Sequence, residues 1–200
     1  MFAPNQESFV RARPITSVAK EISEPTSRPM EGMLAGTLVE TITGWHPVER
    51  LFAGDAVYTQ DGGLRQVQAI RNLRRGPCQR VMIPGGVLGT DAALTLPVGQ
   101  LVLVEGPALE SLFDLPMALA RVGDLAGLSG IRALKLVAQT DLWQLIFDEE
   151  ELVWTAGALR LHCPTRDSTR ENFFERLSPT QARLYALAMG GDRTPLAQVA

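Results

Sequence analysis

Gly36-Thr37-Leu38-Val39-Glu40-Thr41-Ile42-Thr43 is the stretch on which the reading of this chain turns. Its β-branched residues and partial alternation suit a strand with one face buried and the other in water. His46-Pro47-Val48-Glu49-Arg50-Leu51 follows, with His46 read as a turn residue ahead of Pro47. Next comes Gly54-Asp55-Ala56-Val57, in which Asp55 is read as closing a turn before a second strand, Ala56 to Thr59. That strand runs into Asp61-Gly62-Gly63, a hairpin signal because glycine accepts positive φ without a Cβ penalty. Leu64 to Leu73 is the expected return strand, with Val67 and Ile70 set among Arg65, Gln66 and Gln68.

Downstream, Gln79 to Ile83 reads as a short strand broken by Pro84-Gly85-Gly86. Ala92 to Leu96 and Gln100 to Val104 flank Pro97-Val98-Gly99 as strand, turn and strand, since proline cannot donate to a ladder. Leu109 to Leu125 has mixed periodicity and is read as one or two short helices. Ala133 to Ala138, Leu142 to Phe147 and Glu151 to Thr155 return to strand texture. Ser178-Pro179-Thr180-Gln181 predicts a helix start: serine caps the free amides, proline fits the first turn and glutamine reaches back. Leu184, Leu187 and Ala188 are expected on its buried face, with Gly190-Gly191 as its stop and a shorter helix over Arg170 to Leu177. The domain limits expected are a partly disordered tail over 1–30, a β domain over 31–165 and a helical appendage over 166–200. The tail mixes prolines, serines and charges with few large apolar groups, too little to offset its ordering entropy.

Composition narrows the function classes. The hydrophobic fraction of 46% and charged fraction of 20% are those of a globular protein, and 200 residues can bury a core without disulfides or metals. A net charge of −3, with Arg71, Arg74 and Arg75 as the one tight basic cluster, argues against a nucleic-acid partner, which wants a wide basic stripe. Cys78 and Cys163 form no CxxC pair, and with two histidines they offer no close metal-ligand spacing; no metal or cofactor is expected. Gly85-Gly86-Val87-Leu88-Gly89 lacks dinucleotide spacing, and no Walker pattern or G-x-S-x-G elbow is present. The first thirty residues show no signal-peptide core, and the longest apolar runs are too short to span a bilayer, so no membrane partner and a cytoplasmic location are expected.

The order of these signals resembles the bacterial Hint-domain family, related to Hedgehog C-terminal domains and inteins. The carriers are the Gly36–Thr41, His46–Leu51 and Gly54–Val57 series, the Asp61-Gly62-Gly63 hairpin and Arg80-Val81-Met82-Ile83 through Gly85–Gly89. They continue with Leu94 to Val104 and with Leu145-Ile146-Phe147-Asp148 through Glu151-Leu152-Val153 to Gly157. The resemblance covers roughly residues 33 to 163. It implies a mostly β, flattened horseshoe of short strands with pseudo-twofold symmetry, to which the C-terminal helices would be added.

Hint chemistry, as the resemblance implies it, starts with a nucleophile at the first residue of the domain, normally cysteine. Its thiol attacks the preceding carbonyl, and a second-block histidine protonates the departing amide nitrogen. The family cysteine stands four places before the Gly-Thr pair, which here is Gly32; a shift of one gives Met33 or Glu31. Aligned on Pro97, the histidine place is Gly99 and the Ser/Thr place Leu96; aligned on nearby Thr95, the histidine place is Val98. No thiol, hydroxyl nucleophile or imidazole stands at these positions. His162-Cys163 superficially matches the far end of an intein, but lacks the intervening asparagine, and neighbours on a strand face opposite ways. Both are read as strand-end residues. Asp148-Glu149-Glu150-Glu151 is read as a solvated turn, and Trp45, Trp143 and Trp154 as core or core-edge residues.

These readings imply a Hint-domain protein that is inactive in autoproteolysis and serves as a binding or scaffold module, its protein partner unknown. One alternative is an active self-cleaving enzyme using a non-standard nucleophile, for which Cys78 and Cys163 are the available thiols. The other is an unrelated β-rich interaction protein.

Overall fold

The computed structural model describes residues 31–75, 77–128, 130–136, 140–167 and 172–189. The expected tail, the Gly190-Gly191 helix stop and the end of the Ala133–Ala138 strand lie outside these residues.

Short strands carry the described chain. They are β1 (Met33–Leu34), β2 (Leu38–Thr41), β3 (Gly44–Pro47), β4 (Ala56–Thr59), β5 (Gly63–Gln66), β6 (Ala69–Arg75) and β7 (Arg80–Ile83). Beyond these come β8 (Leu94–Pro97), β9 (Leu101–Glu105), helix α1 (Pro107–Phe113), β10 (Met117–Arg121) and β11 (Arg132–Ala133). The chain closes with β12 (Thr140–Ile146), β13 (Glu151–Trp154), β14 (Arg160–Cys163) and helix α2 (Pro179–Ala188). Pairing is antiparallel throughout the named strands. The large sheet runs β10-β9-β14-β13-β4-β2-β3 with β5 beside β4; two smaller sheets are β1-β12-β6 and β11-β7-β8.

The Gly36–Thr43 texture becomes one arm of a tight hairpin rather than a single long strand. Thr41 Oγ1 donates to the Gly44 carbonyl at 2.7 Å, and the chain returns as β3. His46 therefore lies on a strand, not in a loop, with its ring 2.9 Å from the Thr43 hydroxyl. The second hairpin forms where expected: Thr59 pairs with Gly63, which takes a φ of +62°. Its return arm is split, however, because β5 stays on β4 whereas β6 joins β12 in another sheet. Pro97-Val98-Gly99 likewise separates strands of different sheets, as β8 pairs with β7 and β9 with β10 and β14. Part of the stretch expected to be helical is instead β10, whose Ala118, Leu119 and Ala120 are buried beside β9.

Paired residues in an antiparallel ladder share a face, so the register divides the large sheet into two sides. Val57, Val102, Val153, Leu161 and Cys163 face the main core. Leu101, Leu103, Leu119 and Leu152 face the other side, where Phe174 covers them. Each such fully buried Leu or Val contributes about 1.5–3 kcal/mol over its exposed state. Trp143 packs against the main core, whereas Trp45, expected at the core or its edge, is 47% exposed on edge strand β3.

Helix α2 belongs to the same packing. Ala182, Tyr185 and Ala186 are buried, whereas Leu184 and Leu187 are exposed, so the buried face is turned from the one expected. Small residues and one tyrosine let the helix approach closely, and the Tyr185 hydroxyl donates to the Glu105 carbonyl at 3.2 Å. The expected helix over Arg170–Leu177 is absent from its described part: residues 175–177 run alongside β10, the Leu119 amide donating to the Glu175 carbonyl and the Leu177 amide to the Leu119 carbonyl. The capping box forms as expected, Ser178 Oγ accepting from the Gln181 amide and Gln181 Oε1 from the Ser178 amide. Ser178→Ala is expected to cost about 1 kcal/mol, read as a lower melting temperature. An unchanged melt would mean that packing through Tyr185 alone holds the helix.

Candidate functional site

The site is built outward from Gly32. β1 is only two residues long, and its pairing of Met33 with Trp143 and Leu34 with Leu142 lays the start of the domain along β12. The Gly32 amide points inward and donates to Gln100 Oε1 at 2.8 Å. Gln100 is fully buried, and its Nε2 donates to the carbonyls of Leu101 and His162, both at 2.9 Å. Those two acceptors fix the carboxamide's orientation, so its oxygen must face Gly32.

A side chain at Gly32 would be crowded and would sit on a strained backbone. A Cβ there would lie 3.0 Å from Leu142 Cβ and 3.4 Å from the Trp143 carbonyl, on a backbone with φ of +155°. Strand β12 thus crowds the place that a side chain at residue 32 would take, and Leu142 would have to give by a few tenths of an ångström to admit it. Gly99 is buried immediately before Gln100, and Thr95 is half-buried on β8, which packs against β1. The second block therefore does meet Gly32, but through Gln100. One clue to Gln100 was available: it is a polar residue opening an apolar strand, Leu101–Val104.

Next to Gly32, a charged cluster replaces the expected strand-end surroundings of His162. His162 pairs with Leu152 and so projects on the side opposite Cys163, as strand alternation requires. Its side chain is buried, with Nδ1 2.6 Å from Glu31 Oε2 and Nε2 2.7 Å from Glu150 Oε1. Glu150 also accepts from Arg176 at 2.6 Å and from the amides of Phe173 and Phe174 at 2.7 and 3.1 Å. The acidic run is thus only partly a solvated turn: Glu150 is half-buried with its side chain only 6% exposed, Glu151 is buried, and Glu151 meets Arg65 at 3.1 Å. The alternation that turns Leu152 and Val153 to opposite faces also carries Glu151 inward.

The electrostatics follow from these contacts. Burial disfavours a charged His162 ring, but the hydrogen bonds and charges of Glu150 and Glu31 outweigh it and raise its pKa. Burial likewise works against an ionised Glu150, yet His162, Arg176 and the Phe174 amide hold its pKa down to about 2. The Cys163 thiol is driven well above its usual value by complete burial and by the negative charges of Glu31 and Glu151. Cys78 is raised by burial, partly offset by Arg80. Neither environment favours a thiolate nucleophile. Glu31 and Glu150 occupy opposite nitrogens of one ring and so do not converge on a single ion. Among the described residues no group of three or more His, Cys, Asp or Glu side chains is placed to hold a metal. No helix among them is long and apolar enough to cross a membrane.

No curated protein sequence matches the chain. A bacterial intein-like domain from Clostridium thermocellum is 16% identical, with a TM-score of 0.47 over 66% of this chain and 99% of its own. The MchDnaB-1 intein is also 16% identical, with a TM-score of 0.40 over 65% of this chain and 98% of its own. The gp41-1 intein is 14% identical, with a TM-score of 0.43 over 64% and 96%. The family model described as "Hint domain" matches residues 32–160, beginning at the glycine whose amide Gln100 holds, and the chain belongs to the Hint-domain family.

Proposed function

We propose that this Hint domain no longer carries out autoprocessing and serves as a binding or scaffold module. The observation that carries this reading is Gly32: the place of the attacking residue holds no side chain, and Leu142 fills the space beside it. Gln100 adds to it. Its carboxamide accepts the hydrogen bond of the Gly32 amide, but it has no titratable proton to deliver to a departing nitrogen. In a catalytic set whose members act together, loss of the nucleophile or base alone costs on the order of 10⁶ in rate.

The rival reading uses Cys163 or Cys78 as the nucleophile. Cys163 lies in the main core on the face opposite His162, and the Cys78 thiol donates to the Gln79 carbonyl at 3.5 Å. Intact-mass measurement decides between the readings. The purified chain is expected to keep its 21.7 kDa mass with or without added thiol or hydroxylamine. A fragment starting near Gly32 that disappears in Cys163→Ala or Cys78→Ala would establish the rival.

A further inference from the structure

We propose that His162 is a protonation-controlled latch on the chain entering the site, holding Glu31 while both ring nitrogens carry protons and releasing it when one is lost. With both carboxylates ionised, the geometry needs two donors from one ring. Nδ1 lies 2.6 Å from a Glu31 carboxylate oxygen and Nε2 lies 2.7 Å from a Glu150 oxygen. A neutral imidazole has one N–H and one lone pair, so it serves only one carboxylate, and the other faces a lone pair at close range.

The contacts decide which bond breaks. Glu150 is also held by Arg176 and by the amides of Phe173 and Phe174, and its side chain is only 6% exposed. Glu31 is 21% exposed, and among the described residues its carboxylate is bonded to His162. The remaining proton therefore stays at Nε2 with Glu150, the Nδ1 proton passes to water, and Glu31 leaves.

The surroundings define the direction. The charged groups facing the ring are Glu31 before β1, Glu150 between β12 and β13, and Arg176 from the segment after β14, 3.5 Å from Nε2. Leu152 of β13 and Phe174 face the same side without charge, and Gln100 meets His162 at its backbone carbonyl rather than its ring. Arg176 opposes the imidazolium, and the two carboxylates favour it. The folded-state midpoint lies above the usual 6.5, so the latch is closed below it and opens as pH rises through it. What the latch governs is the backbone just ahead of Gly32, where residues 1–30 join the domain.

The latch needs the intact Glu31–Gly32 peptide of the proposed function, and a mass spectrum of the same sample tells failure of that reading from failure of the latch. The test is an NMR titration of the full chain, following the ring signals of His162 and the amides of Glu31 and Gly32. His46→Gln assigns the two histidines. The expected result is a His162 midpoint above 6.5, with both amides shifting at that same midpoint. In Glu31→Gln the midpoint falls by about one unit, and the residual shift of the Gly32 amide no longer reports release. Amides that stay flat through the His162 titration overturn the latch, and so does a Glu31→Gln midpoint equal to that of the native chain. The native titration stands as a test even if the variant folds poorly.

Discussion

Gly32→Ala is expected to lower stability by about 2–4 kcal/mol, and Gly32→Cys by at least as much, without producing cleavage even when Gly99→His is added. Two costs combine. The φ of +155° is one that L side chains rarely adopt, which costs on the order of 1–3 kcal/mol. The new Cβ also meets Leu142 Cβ at 3.0 Å, and overpacking of this kind costs about 1–3 kcal/mol. Leu142 cannot swing aside, because a Cβ moves only with its backbone. That backbone is paired with Leu34 on one side and Leu73 on the other. Urea denaturation gives the stability change, and intact mass reads cleavage. A Gly32→Cys/Gly99→His chain as stable as the native one and cut before residue 32 would show that only two side chains had been lost. The expected outcome says that the sheet has closed over the vacated place, so chemistry is not restored by replacing the missing groups alone.

That closure explains which parts of the site were legible in sequence. The positions of Gly32 and the second block follow from motif order, which is a local property of the chain. The bonds made by Gln100 depend on where the carboxamide of a long side chain ends, and spacing along the chain does not report that. His162 and Glu150 escaped for a related reason. Each stands in a local pattern with a bland meaning, a strand end and an acidic turn. Their pairing joins Glu31 with a residue 131 positions away. Burial of a charged group becomes visible only when distant elements supply its partners. Nonetheless, the opposite facing of His162 and Cys163 was legible, because a strand's period of two is local.

The fold divides along the same line. Hairpins encoded by a few adjacent residues, as at Asp61-Gly62-Gly63, form where the sequence places them. Decisions between sheets do not: nothing within Leu64 to Leu73 says that its first half stays on β4 and its second half crosses to β12. Met117–Arg121 has helix-compatible residues, but two neighbours, β9 and the segment at residues 175–177, offer its backbone partners on both sides. Tertiary pairing overrides weak local preference there. On α2 the expected face followed leucine content, whereas the surface beneath admits Ala182 and Ala186 beside Tyr185.

Glu150→Gln is expected to cost about 3 kcal/mol at neutral pH and to flatten the acid side of the stability curve. Ionised Glu150 accepts four donors: the His162 ring, the Arg176 guanidinium and the amides of Phe173 and Phe174. Burial alone would raise its pKa, but these partners bring it from 4.5 down to about 2. That difference, at about 1.36 kcal/mol per unit, amounts to roughly 3 kcal/mol; with the side chain only 6% exposed, little of it is lost to solvent screening. A folded value below the unfolded one means stabilisation present above pH 4.5 and lost as pH falls toward 2. The neighbouring Glu151 runs the other way: burial, with Glu149 and Asp61, outweighs Thr59 and Arg65 and raises its pKa. Its burden is relieved on acidification, so the two adjacent glutamates pull the acid limb in opposite directions. Urea unfolding of native and variant chains at pH 7, 4 and 3 separates them. The native chain should lose stability toward the lower pH, while Glu150→Gln, already weakened, should lose little more through the Glu150 contribution. Parallel acid limbs in the two chains would mean that the carboxylate's charge contributes nothing at the His162 cluster.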